Sequence, residues 1–156
     1  GYKVASDGSN QAIAMEASTT DAKAGFNFYA DSVAGPIARW ADTSNYLLAQ
    51  RNGGSINLFR KVAGSFTNIG SGAITFSSGQ VIEIEADSAD LITARYNGST
   101  IVAVTETAGA ANTKHGIYAN NTSARFEDFY ITDLTPASGV GHRIIGGGWG
   151  GRIIGA

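Results

Sequence analysis

"QVIEIEADSADLITARYNGSTIVAVTET" (residues 80–107) decides the fold of this chain. In its first third, Ile82, Ile84 and Ala86 alternate with Glu83 and Glu85. A period of two is that of a strand with one face in a core and the other in water, which predicts a solvated position for both glutamates. The remainder is two β-rich runs joined at Asn97-Gly98. Asn-Gly between such runs signals a two-residue hairpin, because a type I′ turn needs positive φ at both central residues. Working outward, similar runs occur at "GFNFYADS" (25–32), "GPIARWAD" (35–42), "NYLLAQRN" (45–52), "SINLFRKV" (55–62), "HGIYANN" (115–121) and "ARFEDFYITDL" (124–134). Gly, Ser, Asn and Asp punctuate them at intervals near ten residues, the pattern of an all-β, two-sheet antiparallel β-sandwich. No segment sustains a 3.6-residue apolar period, so little helix is expected.

Composition narrows the function classes. The chain has 156 residues, 43% hydrophobic, enough to bury one continuous core. There is no cysteine, which excludes disulfides, thiolate nucleophiles and cysteine-ligated metal sites. A net charge of −2 with no Lys/Arg cluster offers no footprint for nucleic acid. No apolar run is long enough to span a bilayer as a helix, and "GYKVASDGSN" lacks the order of a signal peptide. Gly1 in place of an initiating Met leads us to expect a processed or truncated end.

The order of three segments carries a family resemblance: "ARWADTSNYLLAQRNGGSINLFRKVAGSFTNIG", then "QVIEIEADSADLITARYNGSTIVAVTET", then "HGIYANNTSARFEDFYITDL". Over Gly25 to Leu134 the chain resembles the concanavalin A-like (laminin G-like) jelly-roll domains. That resemblance implies a jelly-roll sandwich and a range of roles, from glycan binding to glycoside hydrolysis to structural modules of cell-surface and viral proteins.

Hydrolases of that architecture need two carboxylates flanking a cleft. Glu83 and Glu85 are two apart on one strand face, but an unadorned solvated surface accounts for them. Glu127 and Asp128 are adjacent on a strand and are expected to point to opposite faces. His115, beside Lys114, reads as a loop residue, and His142 falls in the tail; with no Gly-x-Ser-x-Gly elbow, no triad can be assembled. Asp87 with Asp90, and Asp42 with Asn45, are the nearest approach to a calcium site. Each pair is equally a turn signal, so neither metal nor cofactor is expected.

Glycan binding calls for exposed aromatic rings and planar polar side chains. Trp40, Tyr46, Tyr118, Asn120 and Asn121 are the candidate set, provided that they gather at one edge. Against this, Phe26, Phe28, Tyr46, Phe59, Tyr96, Phe126 and Phe129 lie in strand-like runs, where aromatics are usually core. Asn97, Asn120 and Asn121 also stand in Asn-x-Ser/Thr acceptor triplets, which matter only in a eukaryotic secretory context.

After Leu134 the strand pattern stops, dividing the chain into a sandwich domain (1–134) and a linker with an extended Gly-rich C-terminal arm (135–156). The arm contains "RIIG" twice, two arginines and no acid, leaving −4 on the body. Burial of its four isoleucines and Trp149 would roughly offset the entropy of ordering so many glycines, so the arm needs main-chain hydrogen bonds from a receptive surface. Arg143, Ile144, Ile145, Trp149, Arg152, Ile153 and Ile154 are its candidate partner-binding residues. Composition and resemblance together suggest a non-enzymatic structural or surface module of a multi-subunit particle, such as a virion (phage) decoration or tail accessory protein docked on neighbouring protein subunits through the arm. A location on the virion surface or outside the cell goes with this. The alternative is a carbohydrate-binding module of a larger secreted or particle-bound protein, with glycans as partners and neither nucleic acid nor membrane.

Overall fold

The computed structural model describes residues 11–29, 33–120 and 124–135, which form eleven strands and no helix. In chain order these are β1 (Gln11–Glu16), β2 (Ala22–Phe28), β3 (Ala34–Asp42), β4 (Asn45–Asn52), β5 (Ser55–Val62), β6 (Ser65–Ala73), β7 (Gln80–Ala86), β8 (Leu91–Tyr96), β9 (Ser99–Thr105), β10 (Lys114–Ala119) and β11 (Phe126–Asp133). The opening stretch is β7, β8 and β9. Asn97 (φ 49°) and Gly98 (φ 79°) supply the two positive φ values, and Tyr96 pairs with Ser99 across the turn. β1 and β6 were not expected from the sequence. Both are edge strands, Ala-rich and Gly/Ser-rich respectively, with no clean alternation to reveal them.

The strands assemble into a six-stranded sheet, β1-β10-β3-β4-β5-β6, and a five-stranded sheet, β11-β2-β7-β8-β9. Every pairing is antiparallel. Between the sheets lie Ile82 and Ile84, which the period of two assigned there, and the expected core aromatics Phe26 and Phe28, together with Leu47, Ile56, Leu58 and Ile92, each at most 1% exposed. Such side chains contribute about 1.5–3 kcal/mol apiece when fully buried. Phe26 packs on Phe126 with ring centroids 5.0 Å apart, and the Arg51 guanidinium closes over Phe76 at 4.3 Å. Along one flank, β6 meets β9 through glycine. A methyl group at Gly70 would come within 2.7 Å of Val102 and one at Gly72 within 2.6 Å of Ile101, so the two sheets approach there only because both side chains are absent.

Of the several breaks in alternation, the one in β3 has the largest effect. β3 bulges between Ala38 and Asp42, and its neighbour β10 shifts register between Lys114 and Gly116. Arg39 sits in the bulge at φ 52°, a left-handed conformation that costs a non-glycine residue about 1–2 kcal/mol. Its side chain, 1% exposed, turns toward the opposite sheet. There it donates to the Glu106 carbonyl (2.7 Å) and the Asp87 carbonyl (3.1 Å) and pairs with the Asp90 carboxylate (2.9 Å). Glu106 also holds Arg60 at 3.1 Å and accepts from the Ala108 amide. Those contacts tie β3 to the β7–β8 turn and to the end of β9.

A buried cation serving three acceptors cannot be removed cheaply, since each would lose a charge-assisted partner. Arg39→Met is expected to lower unfolding free energy by about 2–4 kcal/mol in urea titration. Arg39→Lys should recover little, because an ammonium cannot fork toward three acceptors. A loss below about 0.5 kcal/mol for the methionine variant, the range of an ordinary surface substitution, would remove this tie from the account.

Candidate functional site

The bulge at Arg39 shifts the parity of β3. Ile37 and Trp40, three apart, therefore both join the cluster on the outer face of the six-stranded sheet, while Ala38 faces the core. That second cluster is built from Ile37, Tyr46, Leu48 and Tyr118, with Ala12, Trp40 and Phe59 packed against it. Ile37 and Leu48 are fully buried although, among the described residues, no second sheet lies over this face. Aromatic rings do so instead. Trp40 stacks on Tyr46 with centroids 5.2 Å apart and planes 16° from parallel. Phe66, reaching in from β6, meets Tyr46, Phe59 and Tyr118 edge-on at 6.1, 5.7 and 6.3 Å.

Two depressions flank this cluster. One, of about 360 Å³, is bounded by Phe59, Phe66, Tyr118, Gln50, Asn52 and Asn120. Among the described lining residues the polar groups are three amides and the Tyr118 phenol, with no charged side chain. Asn120 donates its backbone N–H to the Val33 carbonyl, but its Oδ1 is shielded from solvent and finds no hydrogen-bond partner. The other depression, of about 290 Å³, lies at the Tyr46 end, with Arg39, Asn45, Lys61 and Asn112 in its wall. Burial pushes the Tyr46 and Tyr118 phenols above the usual tyrosine range, so both stay protonated donors at ordinary pH.

Of the predicted glycan set, Trp40, Tyr46, Tyr118 and Asn120 are thus brought together on one face. Asn121 lies outside the described residues. So do Arg143, Ile144, Ile145, Trp149, Arg152, Ile153 and Ile154, together with His142. The expectation of exposed rings needs correction, since Tyr46 is 3% and Tyr118 4% exposed; the open ring is Phe66, at 40%. Phe66, Gln50, Asn52 and Lys61 were missed. Phe66 is a lone aromatic in "SFTNIGSGA", where nothing in the sequence marks an edge strand curling back over its sheet.

The residues weighed for chemistry fall into structural roles. Glu83 does not lie on a solvated surface: it is 6% exposed, held by Lys23 at 3.2 Å and by the Tyr130 hydroxyl, which donates to it across Gly25. Burial raises the Tyr130 phenol well above its usual range, with the Glu83 contact adding to the effect. Glu85 pairs with Arg95 at 3.2 Å. Strict alternation fails at Glu127 and Asp128, because Asp128 (φ 54°) lies in a bulge and accepts from Asn27. Asp87 accepts from the Ala89 and Leu91 amides, and Asp42 from the Ser44 amide and the Asn45 side chain, so both are turn formers. No group of three or more His, Asp or Glu able to hold a metal occurs among the described residues.

His115 is not a loop residue. It belongs to β10 and is completely buried, with Nε2 3.2 Å from the Thr19 carbonyl and Nδ1 without a partner. Desolvation holds its pKa below the usual histidine value; the Arg39 charge pushes the same way, while the Thr19 contact opposes.

No family model matches this chain, and no curated protein matches it by sequence. Solved structures do match in shape. Carbohydrate-binding module CBM66 from Bacillus subtilis aligns over 81% of this chain and 83% of its own, at 10% identity and a TM-score of 0.66. Galectin LEC-6 from Caenorhabditis elegans aligns over 84% and 94%, at 11% identity and 0.59. A candidate glycosyl hydrolase from Parabacteroides distasonis aligns over 83% and 88%, at 12% identity and 0.54. These likenesses establish the concanavalin A-like jelly-roll fold. One of these is named a carbohydrate-binding module, one a galectin and one a candidate glycosyl hydrolase.

The depressed His115 pKa has a consequence for stability. The unfolded chain takes up a proton near pH 6.5 while the folded one resists, so stability is full above that pH and declines as pH falls from about 6.5 toward 5. Thermal denaturation across pH 8 to 5 should show this decline. His115→Gln should flatten that part of the profile whatever its effect on absolute Tm; an unchanged slope would remove His115 as its source.

Proposed function

We propose that this chain is a non-enzymatic carbohydrate-binding module whose sugar site is the outer face of the six-stranded sheet, at the depression beside Tyr118. The observation that carries this reading is the unpaired, shielded Oδ1 of Asn120, set in a pocket with two further amides and aromatic rings. A buried acceptor without a partner costs about 1–3 kcal/mol, which a ligand hydroxyl would recover. Amides donate and accept at once, matching the paired hydroxyls of a pyranose, and ring faces suit its C–H patches. Tyr118 adds a phenol that stays protonated. The similar structure named a carbohydrate-binding module supports the same reading. The particle-module reading rested on composition and resemblance, with docking through an arm whose candidate residues lie outside the described residues, and it draws no support from the comparisons.

Glycan-array screening followed by titration calorimetry on the best ligand tests this. Phe66→Ala, on an exposed edge, should leave the domain folded and weaken binding about tenfold, corresponding to roughly 1.4 kcal/mol of stacking. Asn120→Ala should weaken it by at least as much. Folded protein that binds no neutral or acidic glycan, or that binds one unaffected by either substitution, would overturn the assignment.

A further inference from the structure

The two depressions have different linings that meet where Phe66 of one touches Tyr46 and Lys61 of the other, and they differ in charge. Tyr46 and Lys61 are a cross-strand pair on β4 and β5, Lys61 pairs in turn with Phe66 on β6, and the Lys61 ammonium lies 5.0 Å from the Tyr46 ring and 4.9 Å from that of Phe66. Tyr46 and Lys61 bound the smaller depression, whereas Phe66 bounds the larger. Along β4 the outward positions run from Tyr46 to Gln50, about 13 Å at 3.3 Å per residue, longer than one pyranose ring. Among the described lining residues, only the Tyr46 end carries formal charge.

At that end, Lys61 donates to the Thr43 carbonyl at 2.8 Å and to the Tyr46 hydroxyl at 3.4 Å, with no carboxylate in ion-pair contact among the described residues. Asp42 lies close enough for Lys61 to favour its ionised form slightly, yet its carboxylate is committed to the Ser44 amide and Asn45. An ammonium has three protons, so one remains for a ligand. Arg39 also borders this depression, but its guanidinium is buried between the sheets and committed to Glu106, Asp87 and Asp90. Among the described lining residues, Lys61 is therefore the cation open to a ligand, with the Asn45 and Asn112 amides beside it and no acid.

Resting on the sugar-binding reading above, we infer that the two depressions are subsites of one groove, with a neutral sugar beside Tyr118 and Asn120 and a carboxylate-bearing sugar, of the uronic or sialic type, beside Lys61. The ligand class is thus an oligosaccharide with an acidic residue. Phe66 stands between the subsites, bounding the one beside Tyr118 and lying 4.9 Å from the Lys61 ammonium of the other.

The experiment uses the full chain and an array of oligosaccharides in matched pairs, neutral and with one uronic or sialic residue at the same length. The acidic member of the preferred pair should bind about fivefold more tightly near 50 mM salt, and the advantage should shrink toward none near 500 mM as the exposed charge is screened. Lys61→Met should abolish the difference between the members, and Lys61→Arg should retain it, with thermal melts confirming that both variants fold. Equal binding of the pair by a protein that still depends on Asn120 would overturn this inference and leave sugar binding standing. Binding of no glycan at all would overturn both.

Discussion

The buried guanidinium of Arg39 is the interaction on which the rest of the architecture turns. It reaches three acceptors on the far sheet only because β3 adopts a positive φ at that residue, and the bulge that permits this also resets the parity of the strand. Backbone strain at one position is thereby exchanged for a charge-assisted tie between sheets. The same local event places Trp40 on the outer face, against Tyr46. Stability and the candidate site therefore share a cause, and neither can be described without the other.

How much was legible follows from which rules held. Ile82, Ile84, Phe26 and Phe28 obey a strict period of two, and Asn97-Gly98 is a turn whose chemistry is written in two residues; the sandwich and its core were readable from these. The set Trp40, Tyr46, Tyr118 and Asn120 was also readable as candidates for one surface, on residue type alone. Its geometry was not. Phe66 meets Tyr118 across three intervening strands, a contact set by sheet curvature that no local pattern encodes. Lys61, Gln50 and Asn52 look like ordinary outward residues until the neighbouring strands are known. Glu83 misled because alternation reports which face a residue takes, while its burial depends on Tyr130 and Lys23, supplied by strands far away in sequence.

The outer face differs from an ordinary solvated sheet in having its own dry interior. Ile37 and Leu48 are sealed by rings in place of a second sheet, which fixes those rings before any ligand arrives. Association on a surface already held in place forfeits less side-chain entropy than association that must order it. The interior between the sheets is meanwhile closed at the β6–β9 flank by Gly70 and Gly72, so the strand that carries Phe66 is anchored from behind by direct backbone approach.

One consequence of the ring cover concerns how this face can change over generations. Tyr46 and Tyr118 each do two jobs, and a substitution at either would expose Ile37 or Leu48 beneath it, coupling any altered recognition to a loss of stability. Phe66 is under no such constraint: it stands on an edge strand, 40% exposed, and covers other rings rather than aliphatic core. Substitution would therefore meet least resistance from stability along β6, and homologues should differ there first while the tyrosines stay fixed.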